Sequence, residues 1–213
     1  MDIGQWIVVS LCVVLIFWYF IGLTINRRRG IFTFQWLHTG LEQLGEISQE
    51  RWLGSSGSGA LLVVEKAVAP FRRVEVIFWL EAREFLPMWL LNRVRNKRDS
   101  VILKAGLRSV PSNEIRLASS KDRQFKNLVT ERKMSIKRLP IQGDYLLAYR
   151  GKQDSTLNKR VENFLSRYGG AIQSLTFQNK EPHLLLRMYL HPLWKVTEEE
   201  FFEDLSRLVN NKS

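Results

Sequence analysis

The pattern of apolar and polar positions divides the chain sharply at its start: an uncharged apolar run, Trp6 to Ile25, is followed at once by Arg27, Arg28 and Arg29. At about 1.5 Å of rise per residue, a helix of this length crosses the ~30 Å hydrocarbon core of a bilayer, and none of its side chains carries a charge that would need a partner there. The pattern predicts a transmembrane helix over 6–25. A cleaved signal peptide is disfavoured, because the basic residues follow the run instead of preceding it and no small-residue cleavage site is visible. Basic residues beside a span stay on the cytoplasmic side. Arg27, Arg28 and Arg29 are therefore read as topology-determining. The short tail 1–5, charged only at Asp2, is expected outside or in a lumen, and the remainder in the cytoplasm, anchored in the endoplasmic reticulum or a prokaryotic plasma membrane.

Beyond the arginines, Ile31, Phe34, Leu37, Leu41 and Leu44 recur at three- and four-residue steps, which predicts an amphipathic helix within a basic juxtamembrane segment, 26–53. The stretch Gly54-Ser-Ser-Gly-Ser-Gly59 reads as a flexible linker into a domain over 60–213. Strands are predicted at 60–65 and 73–80, then a helix over 84–95 with Phe85, Met88, Leu91 and Val94 on one side, then a turn at 96–99. Further strands follow at 100–107 and 114–118, split by a break at 110–113. A short helix is expected over 120–130, and strands at 134–139 and 145–149. Ser155 or Thr156 caps a helix that Gly169-Gly170 stops. Strands at 171–177 and 183–190 precede a last helix opened by the capping box Thr197-Glu-Glu-Glu200. Two tandem strand-helix-strand-strand units imply an α+β fold of mainly antiparallel sheet with helices on one side.

With 45% hydrophobic and 25% charged residues, this is a folding sequence. The single cysteine, Cys12, lies inside the apolar run, so no disulfide or thiolate metal cluster is available. The net charge is +11, and the residues before Arg27 contribute only Asp2, so the positive excess belongs wholly to the rest. A basic surface held beside a bilayer has two natural anionic partners, lipid headgroups and ribosomal RNA. The candidate residues for either are Arg72, Arg73, Arg93, Arg95, Lys97, Arg98, Arg132, Lys133, Lys137 and Arg138. Their densest stretch, Arg93 to Arg98, also ends a predicted helix, where cations offset the helix dipole.

Other chemistry is sparse. His38, His183 and His191 are too dispersed for a metal signature and read as structural. Glu81 and Glu84 flank a strand-to-helix junction, where carboxylates favour a helix start; a catalytic role would need an opposed partner and a cleft. Nucleophile-elbow, P-loop and dinucleotide fingerprints are missing. The expectation is a non-enzymatic protein with no cofactor, metal or small-molecule substrate; a deep polar pocket would reopen the enzyme reading.

The order of segments resembles the calumin-like family, single-pass coiled-coil-domain-containing proteins of the endoplasmic reticulum that serve the multipass translocon. The likeness consists of the apolar span, Phe34-Gln-Trp-Leu-His-Thr-Gly-Leu-Glu-Gln-Leu44, and the strand-helix-strand from Val74 to Ala105 with its helix Phe85-Leu-Pro-Met-Trp-Leu-Leu-Asn-Arg-Val-Arg95. It continues in Val161 to Phe177 and the apolar strand Leu184 to Leu190. The resemblance implies a cytosolic α+β domain beside a Sec-type translocon that touches the ribosome and helps membrane proteins insert and fold. A minimal form is expected, without the acidic lumenal region to which calcium binding is attributed and without the charged helices that follow the domain. Calcium is not carried over. Three readings stay open: an adaptor for membrane-protein biogenesis, a domain that binds anionic lipid surfaces, and an enzyme with an unrecognised site.

Overall fold

A computed structural model describes residues 2–95, 97–111, 113–120, 122–139, 144–151 and 155–210. Asn96, in the expected turn and basic run, lies outside these residues; so do Ser112, in the expected break, Lys121, near the start of the expected helix, and the chain ends, Met1 and 211–213.

The apolar run and the amphipathic segment form one uninterrupted 40-residue helix, α1 (Ile3–Glu42). At 1.5 Å per residue it is about 60 Å long. The expected boundary at residue 26 is no break, because the arginines that follow the apolar run are good helix formers and continue it. Almost all of α1 before Gly22 is exposed, and this apolar part is long enough to span a membrane. From Gly22 onward one stripe is buried: Gly22, Asn26, Gly30, Thr33, Trp36, Leu37, Gly40 and Leu41. Steps of three and four residues keep these positions on one face.

The elements that follow are β1 (Gln49–Trp52), β2 (Gly59–Val64), β3 (Phe71–Trp79), α2 (Leu86–Val94), β4 (Ser100–Leu107), β5 (Glu114–Ser119) and α3 (Arg123–Glu131). Then come β6 (Ser135–Leu139), β7 (Tyr145–Arg150), α4 (Ser155–Tyr168), β8 (Ile172–Phe177), β9 (Leu184–Tyr189), α5 (Leu190–Leu193) and α6 (Glu198–Val209). The strands form a single nine-stranded sheet in the order β1-β2-β3-β4-β9-β8-β5-β7-β6, with every pairing antiparallel. The fold is α+β. The two strand-helix-strand-strand units, β3-α2-β4-β5 and β7-α4-β8-β9, follow one another along the chain but interleave in space, with β9 and β8 lying between β4 and β5.

The main core lies between one sheet face and α1, α4 and α6. Trp36 of α1 packs on Phe201 and Phe202 of α6, with ring centroids 5.5 and 6.1 Å apart, and Gly40 leaves room for the Phe202 ring. α3 corrects the one-sided expectation. Its Phe125 and Val129, with Met134, cover Ala118 and Ala148 in a second, smaller cluster. Thr197 caps α6 by accepting from the Glu200 N–H at 3.3 Å, while the Glu200 carboxylate turns outward to Arg167 at 2.6 Å.

The Gly/Ser stretch is not a linker. It is the turn of the β1–β2 hairpin, closed by the Leu53 N–H donating to the Gly59 carbonyl at 2.9 Å, and it is wedged against α1. A Cβ on Gly57 would lie 3.2 Å from Asn26 Cβ, and one on Gly30 would overlap the Ser56 carbonyl. Close approach, more than flexibility, explains these small residues. From Asn26 to Leu44, α1 and its extension run about 27 Å, matching the roughly 26 Å of a nine-residue strand. At the far end the Val68 N–H donates to the Leu44 carbonyl at 2.6 Å. The domain is thus packed along the lower half of the helix that carries the apolar segment.

Candidate functional site at the foot of the apolar helix

Two features meet where α1 enters the domain: a buried charge network and a short helix most of whose apolar side chains are exposed.

Asn26 begins the network. Its Nδ2 donates to the Glu81 carbonyl at 2.7 Å and to Glu84 Oε2 at 2.9 Å, and its Oδ1 accepts from Arg83 Nη1 at 2.8 Å. Asp99, 4% exposed, accepts from the Glu81 N–H at 2.8 Å, from Arg83 Nη2 at 2.7 Å and from Arg29 Nη1 at 3.2 Å. One buried carboxylate thereby joins α1, the β3–α2 junction and the start of β4. Two guanidinium groups offset its desolvation. Arg29 also stands over the Trp194 ring, 5.4 Å from its centroid. Glu81 is less well served. Its Oε2 lies 3.3 Å from Arg83, but its buried Oε1 has no hydrogen-bond partner among the described residues. Burial pushes the Glu81 carboxyl above its ordinary pKa, against the pull of Arg83 and with the help of Asp99.

Beside the network lies a cavity of about 360 Å³. Arg29, Glu81, Arg83 and Asp99 form part of its wall; Arg93, Arg98, Gly170, Tyr189, His191 and Pro192 supply the rest. The Arg98 guanidinium sits 5.9 Å from the centre of the Tyr189 ring. Neither Arg93 nor Arg98 forms an ion pair at contact distance with a carboxylate among the described residues, although Arg93 acts on Glu81 from further off.

α2 is the second feature. Sequence periodicity gave it an apolar side, yet it has no buried residue: Phe85 is 59% exposed, Met88 44%, Leu90 51%, Leu91 41% and Val94 82%. It touches α1 through Trp89, whose ring lies 5.1 Å from that of Trp18, while Trp18 Nε1 donates to the Arg83 carbonyl at 2.7 Å. A Cβ at Gly22 would overlap that same carbonyl. Trp18 precedes Ile25 by two helical turns, about 10 Å. α2 therefore lies beside the apolar segment of α1.

The ten candidate cations do not gather on one surface. Arg93 and Arg98 share the cavity with Arg29, and Arg95 and Lys97 stand exposed next to them. Arg72 and Arg73 sit at the opposite end of β3, with Arg72 paired to Glu181 and Arg73 to Glu65 at 3.2 Å. Arg132 pairs with Glu114 at 2.9 Å, Lys137 with Glu162 at 3.2 Å and Arg138 with Asp144 at 2.7 Å, around the β6 edge of the sheet. Lys133 occupies the turn before β6, with φ 50°. Arg27 and Arg28 are exposed, whereas Arg29 belongs to the network.

Glu81 and Glu84 lie ahead of the first turn of α2, which begins at Leu86 after Phe85 as N-cap, and both carboxylates are engaged by the Asn26–Arg83 network. The histidines lie on separate elements. His38 faces Glu42 and Glu50 at 3.6 and 3.4 Å, His183 Nδ1 accepts from the buried Leu107 N–H at 2.9 Å, and His191 is exposed beside Trp194. Sequence reasoning missed Asn26, Arg83, Asp99 and Tyr189. Two of these carried a signal: a carboxamide closing an uncharged run, and a lone aspartate directly after four cations. No protein-family model matches the chain, and no curated protein matches it.

Proposed function

We propose that this chain is a single-pass, membrane-anchored adaptor without enzymatic activity, whose domain is clamped to the cytoplasmic face of the bilayer with α2 lying in the membrane interface. The observation that carries the reading is the contact of Trp89 with Trp18, which holds five exposed apolar side chains at the level of the apolar segment. Burying a large apolar side chain contributes about 1.5–3 kcal/mol, so even partial insertion of these five is worth several kcal/mol. Arg93, Arg95, Lys97 and Arg98 follow directly and add about 1 kcal/mol each beside an anionic leaflet.

A spin label tests the depth of α2. In a Cys12→Ser background, a label on Leu90→Cys in the full chain, reconstituted in vesicles, is expected to collide readily with oxygen and poorly with a water-soluble nickel chelate. A label on Arg51→Cys should show the reverse. Aqueous behaviour at both positions would remove the interfacial helix from the reading.

A place beside a Sec-type translocon and ribosome has a separate support, the resemblance together with the +11 charge. Its test is RNase-sensitive co-sedimentation of the reconstituted chain with ribosomes at low salt. Affinity there should fall steeply as salt rises, because phosphate contacts release counterions.

A further inference from the structure

We infer that the cavity at the foot of α1 is a binding site for a phosphomonoester, supplied by the headgroup of an anionic lipid in the adjacent leaflet, with Arg93 and Arg98 as its principal ligands. The lipid as source rests on the membrane-surface reading above; the phosphate chemistry rests on the cavity itself.

Charge is the first argument. Arg29, Arg83, Arg93 and Arg98 line the space against only Glu81 and Asp99, which leaves two positive charges in excess. Asp99 takes up Arg29 and Arg83, so the excess resides on Arg93 and Arg98. A phosphomonoester carries about −1.5 to −2 at neutral pH and presents oxygens suited to forked guanidinium donors.

The second argument is an orphaned polar atom. Glu81, a residue of the cavity wall with its side chain 5% exposed, carries a buried Oε1 that has no hydrogen-bond partner among the described residues. Burial favours the protonated form of its carboxyl, and a proton taken up there removes a negative charge from the wall and raises the positive excess.

Position and room are the third. Arg29 lies four residues beyond Ile25, about 6 Å along the helix, where headgroups stand if the apolar segment spans the bilayer. The roughly 360 Å³ holds a phosphate with part of a glycerol, and a Cβ on Gly170 would meet no atom within 4 Å.

The test uses the full chain in a neutral detergent, titrated calorimetrically with dioctanoyl phosphatidate, dioctanoyl phosphatidylcholine and inorganic phosphate. Saturable binding of phosphatidate over phosphatidylcholine is expected. Arg93→Gln with Arg98→Gln should weaken it about ten- to a hundredfold, as loss of charged hydrogen bonds does. Arg95→Gln with Lys97→Gln removes the same charge from the same stretch without touching the cavity and should cost no more than about fivefold through lost general attraction. Gly170→Leu, which adds bulk at the cavity wall and leaves its charge alone, should also weaken binding. Equal losses from the two glutamine pairs, with no effect of Gly170→Leu, would overturn the site while leaving the membrane-surface reading intact. Inorganic phosphate binding as tightly as phosphatidate would keep the phosphate site and reject the lipid as its source. An aqueous label at position 90 alongside intact phosphatidate binding would count against the surface reading alone.

Discussion

Asn26 and Glu81 are the residues on which the junction between α1 and the domain turns. Asn26 looks like the last residue of an apolar helix, yet its amide answers the Glu81 carbonyl, the Glu84 carboxylate and the Arg83 guanidinium together. Leucine has nearly the same volume and a better helix propensity, so Asn26→Leu isolates the polar role. It should destabilise the full chain in detergent by about 3 kcal/mol or more, since each buried group left unpaired costs roughly 1–3 kcal/mol. An unchanged thermal unfolding curve would show that these partners find water instead. Glu81 calls for the opposite experiment. Its folded-state pKa is raised above the ordinary 4.5, chiefly by burial, so folding favours its protonated form. The stabilising contribution is complete below the unfolded value and is lost as pH rises through the folded one. Glu81→Gln, neutral at every pH, should therefore match the parent in acid and become the more stable of the two at neutral pH. A parent that gained on the glutamine variant with rising pH would mean that Arg83 outweighs desolvation.

Two helices with the same apolar periodicity have opposite surroundings. Leu41, on α1, is 0% exposed between sheet and α6, whereas Leu90, on α2, is 51% exposed. Leu41→Asp should cost several kcal/mol and unfold a marginal domain; Leu90→Asp should leave unfolding in detergent nearly unchanged and weaken only attachment to vesicles. Circular dichroism melts paired with vesicle flotation read both effects, and a strong destabilisation by Leu90→Asp would place α2 in the core. The contrast shows what the sequence could reveal. Periodicity located β2 to β9 and α2, α3, α4 and α6 within a residue or three, because alternation and caps are local; α1 it divided in two, and the four-residue α5 it missed. It said nothing of what covers a face, since a stripe such as Phe85, Met88, Leu91 and Val94 has the same spacing under protein or lipid. β1 was invisible because Gln49–Trp52 is a short, exposed edge with no apolar alternation. The insertion of β9 and β8 between β4 and β5 is a non-local pairing that no window displays. The cavity escaped for the same reason: its walls come from α1, the ends of β3 and α2, the start of β4, the α4–β8 turn and the end of β9.

Because α1 runs without a break from the apolar segment into the core, the domain follows directly from that helix, and the proposed orientation rests on the arginines beside the segment. Those arginines divide into two roles. Arg29 holds Asp99 at 3.2 Å and covers Trp194, so exchanging it disturbs the fold. Arg27 and Arg28 are exposed, free to act on orientation without touching the network. The positive-inside bias predicts an N-terminus outside and a domain in the cytoplasm. In sealed vesicles with the cytoplasmic side inward, added protease should leave the 25.0 kDa chain nearly intact, and detergent should render the domain cleavable. Arg27→Glu with Arg28→Glu should shift part of the population to the inverted orientation, seen as a protease-sensitive fraction before detergent, with the unfolding temperature of the domain unchanged. Adding Arg29→Glu should lower that temperature as well, because it sets a carboxylate against the buried Asp99. Digestion of the unaltered domain in such vesicles would place it on the other side of the membrane and detach the cytoplasmic readings from this chain; protection that survives the double exchange would assign orientation to the domain's own bulk, leaving the arginines with the network alone.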